Sequence, residues 1–168
     1  MKNFFKKLTI GSYIEALALI LTLVSFIIYI ANIASPGYFS GVGVSGIIGI
    51  SIVSIIVLAV SEVLAFFNFK GISGKAVDYT VTLLRALVPI LLILGMMLIV
   101  LNRAEGLAYL YGSNDEIKAT LLDPATNNNV SGMLAITSAI FFGISGLIAI
   151  IGAFFSMPTK KANEEKAE

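Results

Sequence analysis

The sequence predicts an all-α membrane protein, a four-transmembrane-helix up-down bundle with a kinked third helix. Three observations predict it. Of the 168 residues, 58% are hydrophobic and 12% charged, about half the charged share of a soluble domain. The apolar residues fall in four near-continuous runs, each long enough for the ~20 residues that cross a ~30 Å hydrocarbon core. Lysine and arginine gather on one side of those runs. Barrel strands would instead alternate apolar and polar residues, so helices are expected.

The first span is expected over residues 13–33. It follows a basic start, Lys2, Lys6 and Lys7, that resembles the n-region of a signal peptide. The apolar run exceeds the roughly 7–15 residues of a secretory h-region, and a cut after Ala34 would place bulky Asn32 at −3, so the span is expected to remain uncleaved. Within it, Glu15, Ala18, Thr22, Ser25, Tyr29 and Asn32 recur at alternating steps of three and four. That is the period of a seam in a left-handed bundle. Apart from Ala18 these side chains can hydrogen-bond, so lipid exposure would be costly and the face should turn inward.

The second span is expected over residues 46–67. It opens with the small-residue step Ser45 to Gly49 and carries Glu62 just over a turn before its end. The third, residues 83–101, has Arg85 near its start and Pro89 one turn later. A proline cannot donate to the carbonyl four residues back, here that of Arg85, so a kink is expected there. At 1.5 Å per residue, Glu15, Glu62 and Arg85 should share one layer near the inner surface. Charged residues inside a span are functional hypotheses by default; this layer could lock the bundle or bind a partner or cation, whereas snorkelling to headgroups is the bland alternative.

Residues 102–130 are expected to form the larger of two outer loops, net acidic through Glu105, Asp115, Glu116 and Asp123 against Arg103 and Lys118. Ser113 to Glu116 fits a capping box, so a short helix should start there and stop before Asp123-Pro124. Tyr109 and Tyr111 should lie at the membrane surface. Asn129-Val130-Ser131 has the letters of a glycosylation site, but it lies almost at the membrane and carries no weight.

The fourth span, residues 133–155, bears a small-residue stripe: Ala135, Ala139, Gly143, Gly146, Ala149 and Ala153. Such a face permits close helix approach, either within the bundle or to another chain. Residues 1–157 would form one domain, and the charged tail, 158–168, should be disordered.

Orientation follows from charge. Lys2, Lys6 and Lys7, then Lys70, Lys75 and Arg85, then Lys160, Lys161 and Lys166 share one side; Arg103 and Lys118 lie on the other. Both termini should therefore be cytoplasmic, and the Lys- and Ile-rich composition suggests a bacterial plasma membrane. The chain has no Cys, His or Trp. Disulfides, thiolate chemistry and imidazole catalysis are excluded, no metal site or cofactor is expected, and no nucleophile motif appears. With a net charge of +1, nucleic acid is not an expected partner. The expected partners are the lipid bilayer and a membrane protein or a second copy of the chain. The expected role is a non-catalytic accessory, stabilising or scaffolding subunit; the alternative is a small transporter or channel using Glu15 and Glu62.

Overall fold

The computed structural model describes residues 10–66 and 72–155. The basic N-terminal stretch, Lys70 and the charged tail lie outside the described residues. Among those described there are helices and no strands: α1 (Ile10–Ala34), α2 (Ser45–Phe66), α3 (Ile72–Gly112), α4 (Asp115–Leu121), a 3-10 turn at Pro124–Thr126, and α5 (Asn128–Ala153). Four of them, α1, α2, α3 and α5, are long and apolar enough to cross a membrane.

These four pack side by side. The closest pairings are α1 with α5 and α3 with α5; α2 lies against α3 and, less extensively, α1. The pairs run antiparallel. Going up α1, Glu15 meets Gly152, Ser25 meets Ser138 and Asn32 meets Ser131. Between α3 and α5, Ile93 lies against Gly146 and Met96 against Gly143.

The buried residues keep a seven-residue spacing on every long helix. On α1 they are Glu15, Thr22 and Tyr29, with Ala18, Ser25 and Asn32; on α2, Ile47, Ser54 and Ser61; on α3, Arg85, Leu92 and Ile99; on α5, Ser131, Ser138 and Ser145, with Ala135, Phe142 and Ala149. A 3.5-residue period lets each seam follow its neighbours in a left-handed bundle. The core is apolar at Leu58, Val88, Leu92, Ile99 and Phe142, while Ile, Leu and Val side chains cover the outside of all four helices.

The structure extends and redraws several expected elements. The third span, expected over 83–101, is the middle of a 41-residue helix, about 60 Å long. It continues through Pro89 without a break. The outer loop expected over 102–130 is mostly helical: α3 runs to Gly112, α4 follows, and α5 begins at Asn128. The polar residues of 102–112 had concealed this, because a helix need not stop where its apolar run does. The cap of α4 is also one residue later than the capping box implied. Asn114 is the N-cap, its Oδ1 accepting from Ile117 N at 3.0 Å, and Ser113 instead donates to the Tyr109 carbonyl at 2.6 Å. The helix ends before Asp123, whose carboxylate caps the 3-10 turn by accepting from Ala125 N.

The first loop, residues 35–44, folds back across the bundle end. Gly37 and Gly41 have φ of +134° and +72°, which glycine adopts without a Cβ penalty. A Cβ on Gly37 would also fall 2.7 Å from that of Ser131. This tight path buries Phe39 between the helices.

Candidate functional site

Ionisable side chains enter the bundle at its two ends, with a polar seam between them. At the end nearer the described termini, Arg85 on α3 is 8% exposed and Glu15 on α1 is 2% exposed. Arg85 Nε donates to Glu15 Oε1, forming a buried ion pair. The guanidinium also donates to the carbonyls of Gly152 at 2.5 Å and Phe155 at 3.0 Å. These carbonyls lie at the C-terminus of α5, where the helix dipole is negative; that of Gly152 also accepts from Phe155 N at 3.1 Å. Arg85 thus ties three helix segments together, and its fork geometry suits it to that task.

Glu62, on the last turns of α2, is half-buried and lies in hydrogen-bonding reach of Glu15 and within electrostatic range of Arg85. The three charged residues read from sequence therefore meet. Their charges do not balance: two carboxylates face one guanidinium. Glu15 Oε2 and Glu62 Oε1 are each buried without a hydrogen-bond donor.

The seam above them consists of small polar groups. Thr22, Ser25, Tyr29 and Asn32 are all fully buried. Thr22 donates to the Ala18 carbonyl in its own helix. Ser25 donates across to the Ser138 carbonyl at 2.8 Å, and Asn32 Nδ2 to the Ser131 carbonyl at 2.7 Å. Ser51 and Ser61 donate to carbonyls of α2 itself. The hydroxyls of Ser54 and Ser145 are buried without partners. The serine repeat of α5 was legible as Ser131, Ser138 and Ser145, seven residues apart, but the alanines and glycines between them drew the sequence reading instead. Of that stripe, Ala135, Gly146 and Ala149 are buried, Ala139 and Gly143 partly so, and Ala153 is exposed. Gly152 takes the close approach expected one residue later, with Glu15 and Ile14 against it.

Arg103 is the residue that sequence reasoning misplaced. Expected as an outer-loop charge, it is 1% exposed at the other end of the bundle. Its Nη2 donates to the Val42 carbonyl at 2.5 Å. The guanidinium carbon stands 4.6 Å from the centroid of the Phe39 ring and 5.9 Å from that of Tyr29, within cation–π range. Tyr29 in turn accepts from Val44 N at 2.8 Å, and Ser131 Oγ accepts from Phe39 N. Arg103 thus holds the first loop down over the helix ends. Beside it, Ile99, Val100, Leu107, Ile136 and Ile140 wall a groove of about 210 Å³ between α3 and α5.

Among the described residues no group of His, Cys, Asp or Glu has the makings of a metal site. Comparisons with protein-family models, curated proteins and solved structures gave no match.

Proposed function

We propose that this chain is a non-catalytic accessory subunit that stabilises or scaffolds a complex in a bacterial plasma membrane, with both termini in the cytoplasm. The observation that supports this most is how the bundle uses its polar groups. Serine, threonine and asparagine side chains bond to helix carbonyls, inside one helix or across to the next. Arg85 is committed to Glu15 and the end of α5; Arg103 and Phe39 fill the opposite end. The layer beyond the charged triad contains apolar Ala18, Leu58, Val88 and Ala149. A water path needs polar lining, and a cationic plug at one mouth would repel cations. The exposed Ile, Leu and Val of the four helices are free to meet lipid or another membrane protein.

The alternative of a transporter draws on one observation, the two carboxylate oxygens without donors at Glu15 and Glu62. The two readings separate experimentally. In native membranes, crosslinking followed by extraction in mild detergent should yield this chain with one heterologous membrane protein at fixed stoichiometry, and that partner should become less abundant when this chain is deleted. Recovery of the chain alone, with no other membrane protein changed on deletion, would reject the subunit reading. Reconstituted vesicles should show no ion or proton flux above empty ones; a flux abolished by Glu62→Gln would establish the alternative.

A further inference from the structure

The charged triad contains an imbalance that its own side chains do not resolve. Arg85 spends Nε on Glu15 Oε1 and its terminal nitrogens on the carbonyls of Gly152 and Phe155. What remains is Glu15 Oε2 on α1 and Glu62 Oε1 on α2, in one buried layer, neither with a donor. Two carboxylates held this close in a poorly solvated site repel one another, and a hydrogen between them turns that repulsion into a short hydrogen bond.

We propose that Glu15 and Glu62 together form a binding site for a single exchangeable proton, loaded and released only from the aqueous face at the bundle end that holds Ile10 and Phe155. On loading, a water-borne proton forms an O–H bond on one carboxylate, and that O–H donates to the other. The triad, one guanidinium against two carboxylates, becomes neutral. On release that bond breaks, the proton returns to water, and the triad carries one net negative charge. The pair then titrates as a unit, not as two independent acids.

The surroundings make the proton the fitting ligand. The charged groups acting on Glu62 from its neighbours are Glu15 on α1 and Arg85 on α3. Neither α5 nor the two described residues after it carry an ionisable side chain, and their bonds to the triad come from the carbonyls of Gly152 and Phe155. A metal ion would find two carboxylates beside a fixed guanidinium, too few anionic ligands against a competing positive charge. Access is from one side because Glu62 is half-buried near the end of α2, whereas Ala18, Leu58, Val88 and Ala149 pack in the next layer. The site therefore senses proton activity on one face and does not pass protons on. This holds whether or not the chain has a partner subunit.

Infrared difference spectroscopy of the full chain in a neutral detergent tests the proposal. At pH 7 the wild type should show one carbonyl band of a protonated carboxyl, shifted in heavy water. Glu62→Gln should lose it, and Glu105→Gln, at an exposed carboxylate, should retain it. Absence of the band in the wild type at pH 7, a measurement that needs no variant to fold, would overturn the proposal. So would its persistence in a folded Glu62→Gln protein. One-sidedness is tested in vesicles loaded with a pH-sensitive dye. The expected proton leak equals that of protein-free vesicles; a faster leak abolished by Glu62→Gln would overturn a one-sided site.

Discussion

Arg85 and Arg103 are both buried, and their surroundings differ in a way that predicts different mutational behaviour. Arg85 has a carboxylate and two helix-end carbonyls. Removing it leaves Glu15 enclosed without its cation, and breaking such a pair typically costs about 3–5 kcal/mol. Arg85→Leu should therefore lower unfolding stability by that order, measured by chemical unfolding in mixed micelles. Adding Glu15→Gln should recover part of the loss, and strict additivity of the two changes would show the residues uncoupled. Arg103 has a carbonyl and two aromatic rings but no carboxylate among its partners. A cation enclosed without an anion carries a desolvation cost that no counter-charge offsets, and an apolar residue of similar length removes that cost. Arg103→Met should leave stability unchanged or raised, while the first loop, deprived of the tether to Val42, becomes more accessible to protease.

At the scale of elements, close approach is what the glycines and serines provide. A Cβ on Gly106 of α3 would meet the rings of Phe39 and Tyr38 at 2.7 Å. Gly106→Ala should cost about 1–3 kcal/mol through overpacking, and protection of the first loop against protease should fall with it. Ser25→Ala removes an interhelical bond and should cost about 0.6 kcal/mol, with an upper bound near 1.7. A loss much beyond that in unfolding experiments would assign Ser25 a role other than helix bonding. These elements were unequally legible in sequence. The seam of α1 was readable because Glu15, Thr22, Ser25, Tyr29 and Asn32 stand out against Ile and Leu at a helical period. The α5 seam was less so, since serine, alanine and glycine all serve close packing and no one of them marks the buried position. The full length of α3 was hidden by Asn102, Arg103 and Glu105, polar residues that look like a loop when an apolar run alone defines the span. Burial of Arg103 depends on where the first loop folds, more than sixty residues away, and no local pattern reports that.

At the scale of the whole molecule, the helix pairings place residues 35–44 and 115–127 at one end of the bundle and Lys75 and Tyr79 at the other. The chain has no cysteine, so single cysteines report topology without background. Cysteines at Gly41 and Lys118 should react with an impermeant maleimide added outside intact cells, and one at Tyr79 should react only after lysis. Labelling of position 79 from outside would invert the orientation inferred from the lysines. Labelling of positions 41 and 118 from opposite sides would dismantle the up-down arrangement itself.

The pairing of α1 with α5 also has a consequence for biogenesis. Of the four long helices described, α1 is made before α5 and finds its most extensive neighbour there. Until α5 is made, Ser25 and Asn32 have no Ser138 or Ser131 carbonyl to donate to, and Arg85 has no Gly152. The half-made chain must shelter these groups in water, in lipid headgroups or against an insertion factor. A nascent chain halted before Asn128 should consequently remain associated with the insertion machinery, and completion of α5 should be the event that releases it.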